Sequence, residues 1–296
     1  MKRLLTIIFI CCLSTTWAQS LSPTVIASSG GYHEGANASL SWTLGELATE
    51  TLDNGSNILT QGFQQPVEGI AIGIDLDLLV FLEGPFNASQ MNTNLNSSGI
   101  LPLTQPYNSL PWNYSGTESV TSIPGPEVVD WVLIELRDAA DAASATSATR
   151  LARQAAFLLN DGSVVGMDGA SVLQFSNTFT QQLFVIVWHR NHLGIMSANG
   201  VTASGGIYSY NFTLSASQVY GGSAGYNNLN GTVWGMIAGD ANHDNMVSLS
   251  DKTLWSSFAG SKGYQSVDFS MDAQINNKDK NDVVIPNSGR LSQVPD

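Results

Sequence analysis

The sequence predicts a mainly β protein: a β-sandwich middle domain followed by a small α-helical C-terminal module built on paired EF-hand-type loops. Three observations lead there. Short β-prone runs separated by Gly and Pro fill residues 20 to 235. No lysine occurs between Lys2 and Lys252, so this region is polar mainly through Ser, Thr, Asn and Gln. An acidic ligand pattern then appears twice in the last quarter of the chain, the copies 28 residues apart.

The strands are read from runs of branched and aromatic residues. Ser39-Leu-Ser-Trp-Thr-Leu, Leu76-Asp-Leu-Leu-Val-Phe-Leu, Val128 to Leu136, Gln182 to Trp188 and Ile207 to Leu214 all have strand composition. Partial alternation in Trp131 to Leu136 and Tyr208 to Leu214 predicts sheets with one wet face. The Ala-rich stretch Asp138 to Leu159 has helical propensity, but its Ser and Thr residues weaken that preference. It reads as a loop to about Ala148, then a strand Arg150 to Leu159 closed by the Asn160-Asp-Gly turn before Val164.

The first residues carry Lys2 and Arg3, an apolar run Leu4 to Leu13 and Thr16-Trp17-Ala18, the layout of a signal peptide over residues 1–18. The reading is therefore an exported protein, secreted or held at the extracellular cell surface. Cys11 and Cys12 both lie in the apolar run, leaving the rest of the chain without disulfides, thiolate sites or a Cys nucleophile. No other apolar run has the roughly 20 residues of a membrane-spanning helix. The 24 acidic and 11 basic residues give a formal charge of -13, and loss of Lys2 and Arg3 makes it -15. Such a surface repels nucleic acid. Composition divides the remainder into a short β-rich segment 19–66, a domain 70–235 long enough to bury a core, and an acidic tail 236–296. The tail holds few large apolar side chains and needs a staple, for which metal is one choice.

In the first acidic copy the oxygen donors are Asp240, Asn242, Asp244, the carbonyl of Met246, Ser248 and Asp251; in the second they are Asp268, Ser270, Asp272, the carbonyl of Gln274, Asn276 and Asp279. They occupy loop positions 1, 3, 5, 7, 9 and 12, the spacing with which an EF-hand-type loop turns alternate oxygens onto a hard cation. Two Ca2+ sites are expected. Val247 and Ile275, at position 8, should point into a small shared core. Position 6, where the turn wants a positive φ, holds Asn245 and Ala273; with the neutral Ser270 this makes the second loop the weaker. Affinities of about 10⁻⁴ to 10⁻³ M suit such loops outside cells.

These residues resemble a dockerin type I module, which pairs two such loops each followed by a helix, over about residues 236 to 296. Leu249 to Phe258 would supply the first helix, and Pro286 would stop the second soon after Asp282. The resemblance implies a cohesin-like or other surface-protein partner. Leu249-Ser250 and Asn277-Lys278 stand where cohesin-binding dockerins often carry Ser-Thr. Ser39 to Glu46 with Asn57 to Pro66 is similar to a segment of exported Bacteroidota-type surface proteins, and Leu101 to His192 to a haemagglutinin-like module found there.

Other candidates compete less well. His189 and His192 form the closest His pair, but on a strand end without a third ligand they read as histidines hydrogen-bonding at a sheet edge. Glu83, Asp130, Glu135 and Asp138 are possible acids of a glycosidase, with no pairing legible in the sequence. Trp131 and Trp188 read as core, whereas Trp112 and Tyr114, in a Pro/Asn/Gly-rich loop, read as surface aromatics able to stack on a glycan. The reading is thus a non-catalytic surface protein for adhesion or assembly, with a carbohydrate-binding or carbohydrate-active component and a self-assembling structural subunit as alternatives.

Overall fold

The computed structural model describes residues 73–296 continuously, preceded by the strands Ser29–Gly35 (β1), Ala38–Leu44 (β2), Leu52–Asp53 (β3) and Ile58–Leu59 (β4). The expected signal peptide lies outside the described residues. The chain divides into two compact units, Met1–Ile70 and Ala71–Asp296. In the first, β1 pairs antiparallel with β2 and β3 with β4.

The second unit is β-rich, as expected. Its strands are Ile74–Leu79 (β5), Phe86–Asn87 (β6), Gln90–Met91 (β7), Val128–Ala139 (β8), Arg150–Leu159 (β9), Ser163–Val165 (β10), Leu173–Phe175 (β11), Gln182–His189 (β12), His192–Met196 (β13), Ala203–Ser204 (β14), Ile207–Asn211 (β15), Tyr226–Asn228 (β16) and Trp234–Met236 (β17). Nine of them share one curled sheet in the order β13-β12-β8-β9-β10-β5-β15-β14, with β11 also on β5. All contacts on this path are antiparallel except β15 on β5, which is parallel. The strands expected to form a sandwich are hydrogen-bonded along one continuous, curled path. Side chains of β5, β8, β9 and β12 fill one core around Trp131, Phe157, Leu76 and Val185.

Local sequence explains most boundaries. Strand β9 spans the residues expected, because its Ala residues fit a sheet with covered faces as well as they fit a helix, and tertiary packing decides. The wet face expected for β8 is absent: Val128 to Arg137 are all buried, and side chains of both alternating sets, Trp131 and Leu133 as well as Val132, Ile134 and Leu136, lie in the main core. The run after Ile207 stops at Asn211, whose Oδ1 accepts from the Thr213 amide and turns Phe212–Leu214 into a 3-10 turn.

The stretch from 236 onward packs within the same compact unit as the sheet. Ile237, Ala238, Val247, Trp255, Phe269, Ile275 and Val283 form a second core together with Leu193 of β13, while Met271 reaches the main core. The stretch contains helix α1 (Leu249–Phe258) and a π-helical run Asp279–Val284 that continues into Ile285–Asn287. Pro286 does not end the second helix as expected. The Ile285 amide reaches back five residues to the Lys280 carbonyl, and this wider register absorbs the proline before the chain leaves at Ser288.

Glu83 fastens the end of the β5 segment to this stretch. Its half-buried carboxylate accepts from the Ala238 amide (2.9 Å) and from the side chains of Asn227 and Asn287 (2.6 Å each). Next to it, the Gly84 amide donates to His192 Nε2 at 3.2 Å. A Cβ on Gly84 would lie 1.8 Å from the Phe269 carbonyl oxygen, so backbone must move to admit one. Gly84→Ala is expected to destabilise the protein by at least ~1–3 kcal/mol, read as a lowered denaturant midpoint; an unchanged midpoint would contradict this packing.

Candidate metal centre

The two acidic loops fold alike, residue for residue. Asp240 Oδ1 and Oδ2 accept from the amides of Asp244 and Asn245 at 3.1 Å each; Asp268 accepts in the same way from Asp272 (3.1 Å) and Ala273 (2.9 Å). Asp244 Oδ1 accepts from the Met246 amide and Asp272 Oδ1 from the Gln274 amide, both at 3.0 Å. Ser248 and Asn276 each accept from the amide two residues on. Asp251 closes the first loop by accepting from Asn242 and Ser248; Asp279 closes the second by accepting from Ser270 and Asn276. Positions 4 and 6 have positive φ in both copies: His243 62° and Asn245 67°, Met271 54° and Ala273 71°. An L residue pays ~1–2 kcal/mol for that conformation, least at Asn. Ala273 is the poorer choice, in line with the expectation for the second loop.

The exits from the two loops also repeat, with the partners exchanged. Val247 exchanges backbone bonds with Gly289 and Arg290, beyond the second helix; Ile275 exchanges them with Gly260 and Ser261, beyond the first. Gly260 and Gly289 end the two helices with φ of 88° and 87°, the left-handed stop that glycine favours. Val247 and Ile275 are both buried in the second core, as position 8 requires.

Each loop thus brings its position-1 and position-12 carboxylates inward: Asp240, Asp251, Asp268 and Asp279 are buried, while Asn242, Asp244, Met246, Gln274 and Asn276 lie at the surface. Burial, reinforced by Asp251 and Asp244, pushes the Asp240 carboxyl up to about 7. Burial pushes Asp268 up to about 7 as well, Arg190 opposing the rise and Asp279 adding to it. Asp279 is raised by burial too. Ser270, the position-3 residue of the second loop, is buried with a hydroxyl oxygen that has no hydrogen-bond partner. A buried acceptor normally finds one. An oxygen-seeking cation fits this donor set: carboxylates costly to ionise alone, amide and hydroxyl oxygens at the intervening positions, and an orphaned hydroxyl. Among the described residues no three His, Cys, Asp or Glu side chains form a metal cluster by themselves. The EF-hand-type spacing draws instead on Asn, Ser and carbonyl oxygens.

Both loops grip one turn of the sheet. Arg190-Asn191 joins β12 to β13, and the Asn191 carbonyl accepts from the Gly239 amide just before the first loop. His243, inside that loop, donates from Nε2 to the Arg190 carbonyl. Asn191 Nδ2 donates to the Asp268 carbonyl of the second loop at 2.7 Å, and Arg190 Nη1 donates to the Gln265 carbonyl. Asp130 of β8 holds the turn from beneath. It accepts from Arg190 Nε (2.8 Å), His189 Nε2 (3.2 Å), Tyr264 OH (2.7 Å) and the Trp131 amide (2.7 Å), and Arg190 also lies over the Tyr264 ring. Burial alone would raise Asp130, but Arg190 and His189 override it and hold the carboxyl at about 2.

The two histidines are committed to this network. His192 Nε2 accepts from Gly84, so its Nδ1 carries the proton and donates to His189 Nδ1 (2.9 Å) and Asn191 Oδ1 (2.8 Å). His189 therefore donates from Nε2 to Asp130, and burial keeps both rings neutral. They hydrogen-bond beside the edge strand β13, but buried rather than at the surface. The other carboxylates have separate partners: Glu83 as above, Glu135 with Arg137 at 2.7 Å, and Asp138 with Thr180 and Gln181. Trp112 and Tyr114 are not free surface rings. Trp112 packs against Tyr107 and the His243 ring, and Tyr114 is buried with its hydroxyl on Glu118.

Sequence reading missed Asp130 as the partner of Arg190, and missed Tyr264 and His243. The available signal was one arginine in the apolar run Val185 to Met196, where burial demands a counter-charge.

No protein-family model matches the chain, and no curated protein matches it. Among solved structures it is similar to a chain of an N-terminal interface mutant of the type II Cohesin-X-Dockerin complex from Acetivibrio cellulolyticus, at 16% identity and a TM-score of 0.33 over 54% of this chain and 82% of that one. A TM-score of 0.33 is too low to carry an assignment of fold or partner.

Removing Asp130 leaves a buried guanidinium without its counter-ion. Asp130→Ala is expected to cost ~3–5 kcal/mol in urea unfolding. Replacing Arg190 by Met in the same chain should recover part of that loss; an additive double variant would show that the two groups do not act as a pair.

Proposed function

We propose that residues 240–251 and 268–279 bind two calcium ions and thereby stabilise an exported, non-catalytic protein of adhesion or assembly at the cell surface. The observation that carries this reading is the duplicated loop, in which the same six ligand positions make the same backbone hydrogen bonds with the same pair of left-handed residues. Turns rich in Asp and Asn are common, but a second copy with reciprocal helix exits is not a matter of turn preference. The orphaned Ser270 hydroxyl and the raised Asp240 and Asp268 carboxyls support it further.

Calcium when bound supplies positive charge to the buried carboxylates of Asp240, Asp251, Asp268 and Asp279, of which Asp268 is already partly offset by Arg190. Asp240, Asn242, Asp244, Ser248 and Asp251 would hold it in the first loop with the Met246 carbonyl. Asp268, Ser270, Asp272, Asn276 and Asp279 would do so in the second with the Gln274 carbonyl. The second site is the weaker, having a neutral Ser270 and the strained Ala273. The dockerin-like reading of the tail and a surface-protein partner belong to the same proposal. A secreted location suits it because calcium there is plentiful enough for loops of modest affinity.

Thermal unfolding in calcium and in chelator tests this. A site filled at about a hundredfold above its Kd stabilises by ~2.7 kcal/mol, or roughly 5–10 °C for a unit of this size. Asp240→Ala should abolish most of the shift, and Asp268→Ala a smaller part. At pH 6 the carboxyls at about 7 are mostly protonated and must ionise to bind, so calcium should release protons there and none at pH 8.5. An unfolding temperature indifferent to calcium would end this reading.

A further inference from the structure

A pocket of about 180 Å3 opens beside the last residues of β8 and the first of β9, with residues of β12 and β13 also lining it. Its chemistry is at odds with the rest of the chain. Of the nine Lys and Arg that come after Arg3 (11 less Lys2 and Arg3), three line this one cavity: Arg137, Arg150 and Arg153. Glu135 is the only acid of the sheet among them.

The sheet has been locally altered to achieve this. Residues three apart on a regular strand point to opposite faces. Arg153 pairs with Glu135 and Ala152 with Leu136, but Arg137 pairs with Arg150; the register shift leaves Leu151 as an extra residue. This β-bulge turns Arg150 and Arg153 to the same side, as bulges do where a side chain must be re-aimed. Like charges brought together on one face repel unless something sits between them.

Their own partners leave capacity. Arg137 commits Nε to Glu135 and Nη1 to the carbonyls of Ala145 and Pro295. Arg153 gives one donor to the Trp112 carbonyl. Arg150 makes one ion pair, with Glu135 at 3.9 Å, and its side chain is 43% exposed. Asp240 and Asp296 also border the pocket, yet neither makes an ion pair with these arginines among the described residues.

The remaining wall is aromatic. Trp188 lies with its six-membered ring directly over the backbone of Gly194, where a Cβ would stand 2.3 Å from the ring. Trp112 lines the pocket beside it, held by Tyr107 and His243. Ser147 adds a hydroxyl at the mouth.

We infer that this pocket binds a carboxylate carried on a single ring, the ring lying against the indoles and the carboxylate shared between Arg150 and Arg153. Arginine forks match a carboxylate's two oxygens, and indole faces take flat apolar surface. The ring is either a sugar acid or an aromatic acid, and the cavity admits one such unit. The two arginines and two indoles that carry the inference lie outside the acidic loops, although Asp240, His243 and Asn245 of the first loop also line the pocket.

Isothermal titration of the full chain, in calcium and again in chelator, with D-glucuronate, benzoate, glucose and acetate tests it. At least one ring acid should bind ten times more tightly than both glucose and acetate, with glucuronate against benzoate telling sugar acid from aromatic acid. Arg150→Gln, at an exposed position, should weaken that binding tenfold or more with the unfolding temperature unchanged. Ring acids that bind no better than acetate or glucose, or that bind Arg150→Gln as well as the parent, would overturn it. Loss of binding in chelator alone would leave the pocket assigned and tie it to the first loop.

Discussion

Asp130 and Arg190 form a charge pair sealed beneath the turn between β12 and β13, and the rest of the second unit is arranged around that turn. A buried pair of this kind adds little stability over an apolar core of the same shape, but it tolerates few geometries. Here the geometry it selects is specific. Arg190 must lie over Tyr264 and reach Gln265, His189 must donate to Asp130, and His192 must take the Gly84 amide. With those contacts made, the carbonyls of Arg190 and Asn191 face the first acidic loop, and the Asn191 side chain faces the second. Arg190 Nη2 remains buried without a partner, and the Arg190 charge opposes the rise of Asp268.

This placement makes the two loops part of the sheet's own packing. Leu193 of β13 lies in the same apolar cluster as Val247, Ile275 and Trp255, and its amide bonds to Ile237. The reciprocal exits of the two helices close the loops on each other, so that neither copy is complete without the chain that lies beyond the other. A cation held at either loop would therefore act on the sheet through backbone bonds rather than through a flexible tether. The Arg150 pocket shares that frame, since His243 touches both the Arg190 carbonyl and the Trp112 ring.

Much of this was legible from residue order alone. The apolar run gave β12 nearly to the residue, and the Asn160-Asp-Gly turn with the weakening Ser and Thr residues gave β9 against the helical propensity of its Ala residues. The ligand spacing located both loops and the inward direction of Val247 and Ile275. What residue order could not show was long-range. Partial alternation in β8 looked like a wet face, yet neighbouring chain covers it. Pro286 looked like a helix stop, but a π register absorbs it. The Asp130–Arg190 pairing joins residues 60 apart, and the bulge at Leu151 that gathers the arginines depends on strand register, which no local pattern encodes.

Native-state hydrogen exchange tests most directly whether the loops and the turn are one mechanical unit. The amides of Leu193 and Gly239, bonded to Ile237 and Asn191, report on the turn; those of Val247 and Ile275 report on the loops. Coupling through the turn predicts that moving from chelator to calcium raises the protection of all four amides by a similar factor. A gain confined to residues 240–279, with Leu193 and Gly239 unchanged, would contradict it.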